Sequence, residues 1–187
     1  MSSPSKQTII VKSITCISLN IALLTVCAWI SVPFAVSFTL QTFALFAISA
    51  IFRPKIALTS LFAYLAIGIL GIPVFAGFQG GAIVLLGPSG GYLLGFIPCV
   101  AVVSIASYKS HNKTYVMILS MLSGLFLCYI FGTVWYVNVY APFTFGSFWA
   151  ILMCCVIPFL IPDIIKLFLA VFIVKRLLPY KQRYLDT

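Results

Sequence analysis

Asp163 and Lys166 stand three residues apart in Ile161-Pro162-Asp163-Ile164-Ile165-Lys166-Leu167-Phe168-Leu169, a carboxylate and an ammonium set in an otherwise apolar run. On a helix, that spacing puts both groups on one face, where they can pair with each other or clasp one ligand together. The remaining ten of the eleven Lys and Arg lie in short polar stretches between or beyond apolar segments, and the second acidic residue, Asp186, is in the tail. An ionisable group within hydrocarbon costs about 2.5–3.5 kcal/mol on insertion scales, so its presence points to a functional site. Two readings compete: an ion pair that neutralises itself for structural reasons, and a polar clasp for a small, mostly apolar ligand. Burying a pair for stability alone often fails to recover the cost of desolvation, which favours the clasp.

The elements that must position this pair are membrane helices. The chain has 187 residues, 63% of them apolar and only 7% charged. Its mean hydropathy of +1.21 lies well outside the range of soluble domains. A crossing needs about 20 helical residues, so the length accommodates about six and leaves no room for a soluble catalytic domain. The expected fold is all-α and a single domain over 1–187, with spans at about 13–32, 37–52, 56–72, 82–107, 114–136 and 158–174. The cations fall at the N-terminus, at Arg53 and Lys55, at Lys109 and Lys113, and from Lys175 onward, while the loops near 33–37, 73–81 and 137–147 carry no charge. Six spans with both termini in the cytoplasm satisfy the positive-inside rule at every loop, and Trp29, Trp135 and Trp149 then fall near the outer interface. The first span is expected to remain in the protein, because its apolar run is too long for a signal peptide and lacks a small-residue cleavage site. The net charge of +9 is spread in pairs at segment ends, a pattern for lipid head groups and topology rather than for nucleic acid.

Two segments break the helical pattern. Residues 73–92 hold Pro73, Gly77, Gly80, Gly81, Gly87, Pro88, Gly90 and Gly91, so non-helical or broken-helical backbone is expected between the third and fourth spans. Its apolar character (Phe75, Phe78, Ile83 to Leu86) folds it onto or into the bundle, since irregular backbone at membrane depth must be buried in protein or line a cavity. This segment supplies candidate neighbours for the pair: the Gln79 amide, backbone at Gly80, Gly81, Gly90 and Gly91, and flat faces from Phe75, Phe78, Tyr92 and Trp135. The last apolar segment, 148–174, is too long for one crossing. We read 148–157 as a helix near the outer surface, with the final span starting between Pro158 and Pro162, where proline suits a helix's first turn. Asp163 then gains from the free N–H groups at that helix start.

Other chemistry lacks its residues. The six cysteines form no C-x-x-C pair and read as small buried hydrophobes, so no metal or other cofactor is expected. The one histidine, His111, sits in a basic turn. No G-x-x-x-x-G-K-[ST], H-E-x-x-H or G-x-S-x-G motif occurs, and an intramembrane enzyme would need a second acid or base. A stand-alone secondary or facilitative transporter of a small organic solute is the main rival to a binding subunit.

Pro33-Phe34, Phe38-Thr39-Leu40-Gln41-Thr42, Val74-Phe75-Ala76-Gly77-Phe78-Gln79-Gly80-Gly81, Leu86-Gly87-Pro88-Ser89-Gly90-Gly91-Tyr92-Leu93-Leu94-Gly95-Phe96 and Pro162-Asp163-x-x-Lys166 follow one another along nearly the whole chain. In that order they resemble the BioY family, the biotin-binding S-components of energy-coupling factor transporters. The resemblance implies a non-enzymatic six-helix subunit of the bacterial plasma membrane that captures biotin from outside. Its implied partners are a transmembrane coupling protein and two ATPases. It assigns biotin's polar groups to Asp163, Lys166 and Gln79, the last standing where the family often has Asn. Pro-Gly-Asp, usual in the family, is Ile161-Pro162-Asp163 here. For docking the coupling protein, the nearest equivalent of the family's A-x-x-x-A is Ser18-x-x-x-Ala22, a small-xxx-small pair that permits close packing.

Overall fold

The computed structural model describes residues 6–33, 37–140 and 156–184. Within these residues the apolar runs form helices: α1 (Lys6–Trp29), α2 (Gln41–Ile51), α3 (Pro54–Ile69), the short α4 (Ala82–Leu86), α5 (Gly90–Lys109), α6 (Thr114–Tyr140) and α7 (Ile157–Tyr184). A two-residue antiparallel ribbon joins α1 to α2, with β1 (Ser31–Val32) paired to β2 (Phe38–Thr39). Among the described residues, four stretches are long and apolar enough to cross a membrane: Gln7–Trp29, Gly90–Lys109, Thr114–Val139 and Ile157–Tyr180. Helices α2 and α3 are apolar but shorter, at 11 and 16 residues.

The short α2 is the hub. Nearly all of its side chains are buried, and it packs against α1, α5 and α7. It contributes Ala44, Leu45 and Ile48 to one apolar cluster with α1, α3 and α5, and Phe46, Ala47 and Ala50 to a second with α5, α6 and α7. An element enclosed on all sides needs apolar residues all round, so its composition matches that of a lipid-facing span.

Helices α5 and α6 form the most extensive helix pair. Small residues let their backbones approach: Gly95 lies against the Cys128 backbone, where an added Cβ would come within 3.0 Å, and Gly124 would meet Cys99 Sγ at 2.8 Å. Gly91 faces Trp135 and Phe131, and Gly132 faces the Tyr92 ring, in both cases with no room for a Cβ. This is the close-approach geometry of small-residue membrane interfaces.

Several expected boundaries shift. The second helix starts at Gln41 rather than 37, because Phe38 and Thr39 are taken into the ribbon. The expected 82–107 span is broken: α4 ends at Leu86, and α5 starts only at Gly90, after Pro88. The final helix begins at Ile157 and runs to Tyr184, with Pro162 and Pro179 inside it. Pro158 is thus in the first turn while Pro162 is not, so Asp163 is not at a fresh helix start and draws its support from side chains instead. Trp149 and residues 148–155 of the expected surface helix lie outside the described residues.

Candidate binding site

The Gly-rich connection forms a folded turn seated on α1 and α3. A 3-10 turn (Ala76–Phe78) closes with a bridge between Phe75 and Gln79, whose Phe75 N–H donates to Gln79 O at 3.0 Å. Gly77 and Phe78 take φ of +67° and +59° in succession. Glycine tolerates this without penalty, whereas Phe78 pays about 1–2 kcal/mol. Anchors hold the strained turn in place. Trp29 Nε1 donates to Pro73 O at 2.8 Å, and its indole stacks on Phe78 with centroids 4.9 Å apart. Tyr64 OH donates to Val74 O at 2.8 Å, and the Gly81 N–H donates to Gly68 O at 2.7 Å.

Beneath this turn lies a cavity of about 750 Å³, its open mouth included. Apolar side chains from α5, α6 and α7 wall it, Phe96, Leu125 and Phe159 among them, together with Phe75 from the turn and Tyr92 from the start of α5. An apolar wall with a few convergent polar groups suits a small organic ligand.

Those polar groups converge from four elements. Asp163 and Lys166 of α7 are 4% and 5% exposed, and Lys166 Nζ donates to Asp163 Oδ1 at 2.8 Å. The ammonium also donates to Thr39 O of β2 at 2.6 Å and reaches Thr42 Oγ1 at 3.4 Å. It sits 3.7 Å above the Phe38 ring, which stacks in turn on Phe159. The carboxylate is equally well supplied: Thr42 Oγ1 of α2 donates to Oδ1 at 2.9 Å, and Tyr129 OH of α6 donates to Oδ2 at 2.5 Å. The three N–H bonds of Lys166 are therefore engaged, the contact to Thr42 being the longest. Oδ2 has accepted one hydrogen bond and keeps a lone pair. A ligand N–H can take that lone pair, and a ligand oxygen can displace Thr42 from the ammonium.

Of the residues singled out from sequence, Asp163, Lys166, Gln79, Tyr92 and Phe75 line the cavity. Gln79 is exposed at its mouth, and among the described residues its side-chain amide has no hydrogen bond. The others lie off the cavity wall. Gly80 packs on the carbonyls of Gly71 and Ile72, and Gly81 carries the φ of +98° that leads into α4. Gly90 sits against Leu85, and Gly91 against α6. Trp135 holds the α4–α5 turn by donating from Nε1 to Gly87 O at 3.0 Å. Ser18 and Ala22 share the exposed face of α1.

Among the wall residues with no assigned role in the sequence reading are Thr39, Gln41, Thr42 and Tyr129. Gln41 donates to Tyr64 OH at 2.7 Å and accepts from Thr39 Oγ1 at 3.1 Å, so its amide is committed to the scaffold. A signal existed for three of them, in the polar run Thr39-x-Gln41-Thr42 opening an apolar helix. For Tyr129 there was none, because a tyrosine in an aromatic-rich span is unremarkable by sequence.

Fold and cavity together define a polytopic helical membrane protein with an apolar cavity on which a few polar groups converge. A sequence profile of the BioY family matches residues 2–183, and the chain belongs to that family, one of transport subunits and not of enzymes. It is 36% identical over 167 residues to a probable biotin transporter BioY from Pyrococcus horikoshii, covering 89% of this chain and 96% of the relative. A biotin transporter BioY from Thermotoga maritima is 37% identical over 157 residues, covering 83% and 89% respectively. The fold is similar to that of the S-component for biotin from an ECF-type ABC transporter, with a TM-score of 0.80, 24% identity and 94% coverage of each chain.

Proposed function

We propose that this chain is the biotin-binding membrane subunit of an ECF-type uptake system, with biotin held in the cavity under the Gly-rich turn. The observation that carries the reading is the buried Asp163–Lys166 pair at the cavity wall, in a chain whose curated relatives are biotin transporters. A ureido group is donor, acceptor and donor in sequence. It suits a wall that offers an open carboxylate lone pair beside an ammonium with one replaceable contact. The fused rings and chain fit the apolar remainder of the lining, and Gln79 stands ready at the mouth for a further polar contact. Gly80, Gly81, Gly90, Gly91 and Trp135 support this site by fixing the turn and the start of α5.

In this reading the six apolar helices α1, α2, α3, α5, α6 and α7 all cross the plasma membrane, with both termini in the cytoplasm and the cavity opening outward. The placement of the cations at the N-terminus, the α2–α3 and α5–α6 turns and the C-terminus supports it. These 187 residues contain no nucleotide-binding motif, so uphill uptake draws on a transmembrane coupling protein and two ATPases. The exposed Ser18–Ala22 face of α1 is the proposed docking point.

The test is calorimetric titration of biotin into the purified protein in detergent, alongside Asp163→Asn and Lys166→Ala. Binding tighter than micromolar that both substitutions abolish is expected. Wild-type protein without such binding sinks the ligand; tight binding that neither substitution alters sinks the site.

A further inference from the structure

Gly68 lies on α3 and takes no part in the cavity lining, yet three contacts converge on it. Its carbonyl accepts from Gly71 N at 3.1 Å and from Gly81 N at 2.7 Å, so it holds both the start and the end of the Gly-rich turn. Its missing side chain makes the third contact. A Cβ built there would fall on the ring of Phe75, overlapping Cζ, Cε1 and Cε2. That ring is 1% exposed and stands edge-on to Tyr64, with centroids 5.5 Å apart. Tyr64 is one helical turn below Gly68 on the same face of α3 and is itself fully buried, fixed by hydrogen bonds to Gln41 and Val74. The ring therefore rests in a seat with Gly68 as its floor and Tyr64 as its wall, and Phe75 also lines the cavity.

We infer that Gly68 is a positioning residue for ligand binding, setting through Phe75 both the width of the cavity and the placement of Gln79. A methyl group at 68 cannot be absorbed on the Tyr64 side, where packing is dense and hydrogen-bonded. The ring moves toward the space that exists, which is the cavity. Whatever part of the displacement the Phe75 backbone takes up passes to Gln79 through the bond from Phe75 N–H to Gln79 O. The ligand site narrows and its mouth amide shifts, although nothing that touches ligand has been mutated.

The inference rests on biotin as the ligand, and the experiment separates the two. Biotin affinity is measured by calorimetry for wild type, Gly68→Ala, Phe75→Leu and the double variant Gly68→Ala/Phe75→Leu, each with a thermal melt. Overpacking of this kind weakens binding by about 10- to 100-fold in Gly68→Ala. In the double variant, leucine vacates the space the methyl needs, and affinity returns to within about fivefold of Phe75→Leu alone. A purely structural role for Gly68 would lower both melting temperatures without restoring affinity in the pair, and that result overturns the inference. So does a folded Gly68→Ala that binds like wild type. If Gly68→Ala does not fold, the decision passes to the comparison of the double variant with Phe75→Leu: a folded double variant at least tenfold weaker refutes the compensation. Wild-type protein that binds no biotin refutes the ligand instead and is seen before any variant is made.

Discussion

Removing the Asp163–Lys166 pair one residue at a time, and then entirely, distinguishes a clasp from a structural ion pair. At 2.8 Å and an effective dielectric constant near 20, the attraction between the two charges is about 6 kcal/mol. Desolvation of two ions nearly buried in the bundle opposes it by several kcal/mol each, so the intact pair contributes little net stability. Breaking it is another matter, because the survivor is left as a buried charge at about 3–5 kcal/mol. Remaining partners soften this. Lys166→Met leaves Asp163 with Tyr129 and Thr42, and Asp163→Asn leaves Lys166 with Thr39 O, Thr42 and the Phe38 ring. We expect each single variant to cost about 2–3 kcal/mol and the double variant Asp163→Asn/Lys166→Met only about 1 kcal/mol. In a chain of this size that corresponds to melting temperatures lowered by roughly 5–10 °C for the singles and about 3 °C for the double.

Binding should behave in the opposite way. The double variant regains stability but has lost two charge-assisted hydrogen bonds to the ligand, so biotin affinity falls by about 10²- to 10⁴-fold. The assay is a thermal melt with and without biotin, paired with calorimetric titration, on all four proteins in one detergent. A double variant that recovers both stability and binding would refute the reasoning and reduce the pair to a structural element. Strictly additive losses of stability would refute the coupling itself.

The neighbours of the pair give further expectations. Tyr129→Phe and Thr42→Val each remove one donor from the Asp163 carboxylate; both should weaken biotin binding by about tenfold, with Thr42→Ser close to wild type by the same titration. Gly91→Ala places a methyl against Trp135 and the Phe131 carbonyl, and a thermal melt should fall by several degrees, consistent with about 1–3 kcal/mol of overpacking. Gly71→Ala has open space around it but a φ of +99°, so its smaller loss in the same melt, about 1 kcal/mol, comes from backbone strain alone. A fluorescent protein fused after Thr187 should glow while an alkaline phosphatase fused there stays inactive; the reverse pattern would put the C-terminus outside.

Much of the site was legible because charge is so rare in this chain. Asp163 and Lys166 stand out against an apolar background, and the glycines and prolines of 73–91 mark the irregular turn. The rest was hidden for physical reasons. Helix α2 and a membrane-facing helix have the same composition, since burial in protein and burial in lipid select the same side chains. The contributions of Thr39 and Phe38 depend on a two-residue ribbon, too short to leave a periodic signal. Gly91 is legible as a special position, and the structure sets Trp135 against its missing side chain. Glycine reports a close approach; sequence does not say by what.

The closed network around Asp163 and Lys166 also bears on how the site divides affinity from selectivity. Both charges are hydrogen-bonded by groups of the protein itself, so α7 packs into the bundle without an isolated charge. On the binding mode proposed above, a ureido group exchanges bonds with Thr42 and fills one lone pair on Asp163, a trade whose net gain is small because few bonds are newly made. The larger gain comes from transferring the ring system and chain to a wall built of Phe75, Tyr92, Phe96, Leu125 and Phe159. A ligand of similar apolar bulk with a mismatched head group would enjoy that transfer while leaving buried donors and acceptors unpaired, at a cost of about 1–3 kcal/mol each. On that proposal the apolar wall contributes binding free energy to any ligand of similar bulk, and the Asp163–Lys166 network both strengthens binding of a matched head group and penalises a mismatched one.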